Sequence, residues 1–274
     1  MINKTQYFEK SDGRIAYDDT GGSGPLVIAA PGMGDTRHVY RYMVPLMANA
    51  GMRLVTLDIR GLGESSVDWH DYSDAAIASD YISLLDHLGG SSAALVGNSK
   101  TASAVVIAAT DRPENVAGLV LLGPFAREVP VKWWQKLFFR AMLLGPWGRT
   151  SWVSYYKKNL YPGPKPKDHE EYISALSKNL AEAGRFKAFK EQAKDTHAES
   201  GARLAKVSQP SLIVMGTADP DFPDPRFEAA ELAARLKKSE VLLVEGSGHY
   251  PQADNPDKVV PAVIDFVKRI ALRL

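Results

Sequence analysis

Three side chains in this sequence have types and settings that suit nucleophilic chemistry: Ser99, Asp219 and His249. Ser99 closes the run Ala94-Leu95-Val96-Gly97-Asn98. Asp219 comes three residues after Leu212-Ile213-Val214-Met215-Gly216, and His249 five residues after Val241-Leu242-Leu243-Val244. A serine hydroxyl attacks a carbonyl only when a base takes its proton, and histidine is the side chain suited to that near neutral pH. A buried carboxylate then fixes the imidazole tautomer and stabilises its charged form. Each residue alone has a plainer reading: a serine capping a helix, a histidine held in a turn by Gly248 and Pro251. For the acid, Asp221 stands next to Asp219 and is the alternative, but the first position past the strand turn fits best.

The spacing around Ser99 sharpens the expectation. A nucleophile on a sharp strand-to-helix turn needs small neighbours two positions to either side, because strand and helix approach closely there. Gly97 meets that need and Thr101 meets it in part. In such a turn the backbone N–H of Lys100 points toward the oxygen that becomes negative in acyl transfer, helped by the positive end of the following helix. A second donor is expected from Met33, in the Gly-rich turn that ends Leu26-Val27-Ile28-Ala29-Ala30-Pro31-Gly32-Met33-Gly34. The Lys100 side chain either attracts an anionic substrate group or extends along the surface to solvent, and the second is favoured.

These residues require strands that deliver them to one edge. Short continuous apolar runs recur at 26–30, 54–57, 93–96, 118–122, 212–215 and 241–244, the pattern of buried parallel strands. Between them lie helical stripes: Ile77, Tyr81, Leu84, Leu85 and Leu88, stopped by Gly89-Gly90, and more loosely Val39, Tyr42, Met43 and Leu46. Tyr7 to Tyr17, with Ser11-Asp12-Gly13 inside, reads as a leading antiparallel hairpin. Alternation of this kind predicts an α/β fold with a mostly parallel sheet covered on both faces. Ligands of such sheets bind at the carboxyl ends of the strands, where the three residues would converge.

The stretch 129–204 contains no strand-like run but holds four of the five tryptophans, so it is expected to be a helical insertion into a core made of 1–128 and 205–274. Tyr161-Pro162-Gly163-Pro164-Lys165-Pro166 must be a non-helical joint within it. Residues 131–200 carry thirteen Lys and Arg against seven Asp and Glu, although the whole chain of 274 residues has a formal net charge of only +1. That balance gives no field for nucleic acid, and a solvated outer face accounts for the basic excess. The absence of cysteine excludes thiolate nucleophiles, disulfides and Cys-ligated metal. The remaining histidines, His38, His70, His87, His169 and His197, show no paired ligand spacing, so neither a metal nor another cofactor is expected. The beginning of the chain lacks a signal-peptide pattern and no apolar run reaches membrane-spanning length, so a cytoplasmic location is expected.

The chain order Ser, Asp, His resembles the α/β-hydrolase fold superfamily. The segment Asp58-Ile59-Arg60-Gly61-Leu62-Gly63-Glu64-Ser65 is similar to a structural turn of the same family. The resemblance covers about 13–128 and 205–270 and makes 129–204 the family's cap. It implies a serine hydrolase of carboxylesterase type: His249 as base, Asp219 as its acid partner, Met33 and Lys100 as oxyanion donors, and no cofactor. Two departures touch fine geometry: the elbow ends in Thr101 where Gly is usual, and the oxyanion turn is Pro31-Gly32 where His-Gly is usual. Epoxide hydrolases and haloalkane dehalogenases of this fold are disfavoured, because the resemblance gives them an Asp nucleophile.

Twelve aromatics between 131 and 200, among them Phe138, Phe139, Tyr155 and Tyr156, suggest a small to medium hydrophobic substrate. The same fold also carries lyases, cofactor-free dioxygenases and small-molecule receptors, which remain the alternatives. A dinucleotide-binding enzyme fits poorly, since Arg37 stands where the third glycine after Gly32 and Gly34 is required.

Overall fold

A computed structural model describes residues 4–130, 133–163 and 165–272. Strands β1 (Gln6–Lys10) and β2 (Gly13–Asp19) form the expected hairpin, Phe8 facing Ile15 across it. Six more strands follow: β3 (Leu26–Ala30), β4 (Arg53–Leu57), β5 (Ala93–Asn98), β6 (Val116–Leu122), β7 (Ser211–Gly216) and β8 (Ser239–Val244). They form one sheet in the order β1-β2-β4-β3-β5-β6-β7-β8, antiparallel as far as the β2–β4 pair and parallel beyond it. Every residue of β5 and of β7 is buried. Since successive side chains point to opposite faces, burial without alternation means that both faces of the central sheet are covered.

In the core, α1 (Met43–Asn49) and α2 (Asp74–His87) precede β5, and α3 (Thr101–Asp111) follows it. Helix α2 starts where the Ser73 hydroxyl accepts the Ala76 N–H at 3.2 Å, and it ends before Gly89, whose φ of 66° is open to glycine at no cost. Its stripe Ile77, Tyr81, Leu84 and Leu85 is buried, as the spacing predicts. The looser stripe does not give one helix. Arg37–Tyr40 is a separate 3-10 turn ahead of α1, and Leu46 is exposed while Val39 and Met43 are buried. Pro45 in the first turn of α1 has no N–H for an earlier carbonyl, so the helix starts afresh instead of continuing the preceding turn.

Five helices lie between β6 and β7: α4 (Trp133–Leu143), α5 (Gly148–Asn159), α6 (His169–Ala181), α7 (Arg185–Gln192) and α8 (Ala198–Arg203). No strand occurs there among the described residues. The described part of the Pro-rich joint is non-helical, and Pro164 lies outside the described residues. Helices α9 (Pro225–Arg235), α10 (Pro251–Asp254) and α11 (Pro256–Ala271) complete the chain; α11 buries Val259, Val263, Phe266 and Ile270. No described helix is long and apolar enough to cross a membrane.

Candidate active site

Ser99 sits between β5 and α3 with φ of 56°, the one non-glycine residue at positive φ among those described. L-residues reach that region at a cost of about 1–3 kcal/mol, so the surrounding contacts must impose it. The Ser99 N–H donates to Leu122 O at 2.9 Å and its carbonyl accepts from Phe125 N–H at 3.2 Å. A Cβ on Gly97 would lie 2.4 Å from Thr101 O, so strand and helix are too close for any larger residue there. Thr101, the departure from the usual glycine, is used. Its hydroxyl accepts the Asn98 N–H at 2.8 Å and lies 2.9 Å from Asn98 O and 3.0 Å from Ala30 O, pinning the turn to β3.

The Gly-rich turn after β3 abuts the nucleophile position. A Cβ on Gly32 would stand 2.8 Å from Ser99 Cβ. Met33 and Ser99 line one cavity. Lys100 precedes α3 with φ and ψ of −49° and −41°, at the helix end where backbone donors lack partners within the helix. Its side chain departs from expectation. It is only 4% exposed, and its ammonium stands 2.6 Å from Asp74 Oδ1 and 3.2 Å from Asp195 Oδ2. A solvent path is closed because α2 brings Asp74, and the segment after α7 brings Asp195, over the elbow.

His249 and Asp219 are brought together by the loops after β8 and β7. His249 Nδ1 is 2.7 Å from Asp219 Oδ2, and both side chains are buried. Asp221 Oδ2 is 3.6 Å from the same nitrogen, beyond hydrogen-bond reach. The Tyr155 hydroxyl of α5 instead donates to Asp221. Burial pulls the imidazolium of His249 down, but the Asp219 and Asp221 charges and the Asp219 hydrogen bond outweigh it and push the ring up to about 9. Burial and the Asp219 charge push the Asp221 carboxyl up, against the pull of His249. The loops are braced: His249 N–H donates to Leu160 O at 3.0 Å, Ala218 N–H to Ser247 O at 3.0 Å, and Gly248 N–H to Asp254 Oδ2 at 2.9 Å.

Asp219, Asp221 and His249 also place one ligand atom each within 4.8 Å of one another, a set a metal ion could use. The hydrogen bond already joining His249 Nδ1 to Asp219 satisfies both atoms without one.

The cavity containing Ser99 and His249 has a volume of about 490 Å³. Met142, Trp152, Tyr155 and Leu160, from the chain between β6 and β7, form an apolar wall, and the half-exposed Trp134 lines the cavity with them. Thus Phe139 and Tyr155, singled out by composition, face the cavity. Tyr156 does not: it is fully buried and donates to Asp35 Oδ2 at 2.6 Å. The Phe138 side chain lies outside the described residues. His38 is exposed.

Sequence reasoning missed Asp35, Asp74, Asp195 and His197. Asp35, two residues after Met33, is held by Tyr156 and Tyr172 from α5 and α6, and burial raises its carboxyl. Asp35 is joined to Tyr156 and Tyr172, and Asp74 to His197, across more than a hundred residues of chain, and no local spacing announces such pairs.

Residues 27–262 match the family model described as the alpha/beta hydrolase family, and the chain belongs to that family. Epoxide hydrolase A of Mycobacterium tuberculosis is 26% identical, over 95% of this chain and 96% of its own. The solved bromoperoxidase of Bacillus anthracis superposes with a TM-score of 0.82 at 20% identity, covering 97% of this chain and all of its own. A thermophilic esterase from Thermogutta terrifontis gives 0.80 at 22% identity, covering 98% and 99%. At these identities the structural likeness concerns the fold.

Proposed function

We propose that this chain is a serine hydrolase that cleaves a carboxylic ester, or a related acyl bond, of a small to medium hydrophobic substrate through an acyl-enzyme on Ser99. The observation that carries the reading is the joint placement on one cavity of a serine in left-handed backbone and a histidine hydrogen-bonded to a buried aspartate. In the mechanism, His249 takes the Ser99 proton as the hydroxyl attacks the carbonyl. Backbone N–H groups of Met33 and Lys100 hold the resulting oxyanion, and His249 returns the proton to the leaving alcohol. Water then repeats the sequence on the acyl-enzyme. Asp219 holds the imidazole tautomer, and helices α4 to α8 act as a cap whose apolar wall receives the substrate.

The relationship to an epoxide hydrolase does not transfer that activity. The resemblance assigns those enzymes a carboxylate nucleophile, whose alkyl ester water can open, and this chain offers a serine hydroxyl at that position. A serine ether formed from an epoxide would have no acyl carbon for water to attack. The test is a screen of activated esters and thioesters, together with an epoxide, against wild type and Ser99→Ala. Hydrolysis of acyl substrates that is lost in Ser99→Ala is expected; turnover of the epoxide alone, or activity that survives in Ser99→Ala, would overturn the reading.

A further inference from the structure

The cavity holds a second Asp–His pair that the proposed mechanism leaves idle. His197 Nδ1 stands 2.8 Å from Asp74 Oδ2, and the His197 ring lines the same cavity as Ser99. Phe125 serves both imidazoles, its ring 5.7 Å from His197 and 5.9 Å from His249. Ser103 Oγ lies 2.9 Å from His197, but from Nδ1, the nitrogen already facing Asp74, and it donates to Phe125 O at 2.6 Å. Ser103 is fully buried, so this serine, histidine and aspartate are no second relay. A carboxylate only accepts, so Nδ1 carries the proton and Nε2 is left over. Among the described residues no protein atom bonds Nε2.

Asp195 flanks the pair and lines the cavity with a side chain 24% exposed. One of its oxygens accepts the Asp74 N–H at 2.6 Å and the Lys100 ammonium, the other the Thr196 N–H at 2.9 Å, which leaves lone pairs free. This end of the cavity therefore offers polar atoms beside an otherwise apolar wall.

We propose that Asp74 and His197 form a specificity-determining subsite that receives a hydroxyl group on the acyl chain of the substrate; the inference rests on the hydrolase reading above. The leaving alcohol must lie against His249 to be protonated, so the group that reaches His197 belongs to the acyl part. A hydroxyl both donates and accepts: its one proton goes either to the bare Nε2 or to a free lone pair of Asp195, and its oxygen remains an acceptor. A carboxylate in its place would face the Asp74 and Asp195 charges with Lys100 already engaged by both. Lys100 thus neutralises its own neighbours and does not attract an anion.

The experiment compares p-nitrophenyl esters of a six-carbon acyl chain ending in methyl, hydroxyl or carboxylate. Wild type should prefer hydroxyl over methyl by about tenfold in kcat/KM, the scale of one buried hydrogen bond, with carboxylate poorest. His197→Ala should bring the hydroxyl-to-methyl ratio to about one, and His197→Gln, which keeps a donor and an acceptor, should restore part of it. A purely structural role for His197 would lower both rates and leave the ratio, which would overturn the proposal, as would a wild-type ratio near one or a preference for carboxylate. If wild type hydrolyses none of the esters, the hydrolase reading fails on its own account. The subsite is then read by calorimetry with Ser99→Ala: tighter binding of the hydroxy ester than of the methyl ester supports it, and equal affinity refutes it.

Discussion

Around His249 two carboxylates compete for one role, and distance separates them: Asp219 at 2.7 Å, Asp221 at 3.6 Å and engaged by Tyr155. Asp219→Asn should lower kcat by about three to four orders of magnitude, because the amide leaves the wrong imidazole tautomer facing Ser99. Asp221→Asn should cost less than about tenfold, and a reversed order of losses in steady-state kinetics would reassign the acid. With the imidazole pushed up to about 9, the base is mostly protonated at neutral pH. Below that value kcat/KM should rise about tenfold per pH unit. Removing the Asp221 charge takes away one of the influences that raise the ring, so the limb of the pH profile should move to lower pH in Asp221→Asn. The positions of Ser99, Asp219 and His249 were legible because each follows its own apolar run at the end of a strand. Asp74, Asp195 and His197 were not, since Asp195 and His197 come from the segment between α7 and α8 and meet α2 only in three dimensions.

The strands were readable as elements because burial on both faces writes continuous Val, Ile and Leu into them. The 39–46 stretch misled for the opposite reason: its apolar residues serve two short elements, and periodicity cannot see the break between them. The elbow shows how an atypical residue is absorbed. Thr101→Val preserves shape but leaves the Asn98 N–H without its 2.8 Å acceptor, so stability should fall by about 1–3 kcal/mol in urea denaturation. An unchanged midpoint would mean that the hydroxyl does not hold the turn. The segment after β4 depends on Arg37, which reaches Asp18 at 2.8 Å and also binds Asp58 and Glu64. Asp58 is fully buried, so Arg37→Met should cost about 3–5 kcal/mol by stranding its charge.

Across the whole molecule, the near-neutral charge of the chain conceals a basic, aromatic stretch at 131–200 and the opposite excess in the rest of the sequence. The chain between β6 and β7 supplies most of the apolar wall of the 490 Å³ cavity, the turns after β5, β7 and β8 supply Ser99, Asp219 and His249, and Leu160 O ties the two together at His249. Composition marks 131–200 as aromatic, but which aromatics face the cavity is set by packing: Trp152 and Tyr155 do, while Tyr156 turns to Asp35. Because Asp219, Asp221 and His249 also resemble a metal-ligand set, exhaustive chelation should leave ester turnover unchanged; loss of activity restored by a divalent cation would replace the proposed acid–base role with a metal-based one. The central claim is that Ser99 is an activated nucleophile, and a fluorophosphonate reads it directly, since it reacts with a serine whose proton a neighbouring base removes. Mass spectrometry of the labelled protein should show one adduct, on Ser99, that forms faster as pH rises toward 9 and is absent from Ser99→Ala. An unlabelled Ser99 across that range, or equal labelling of other serines, would contradict the account.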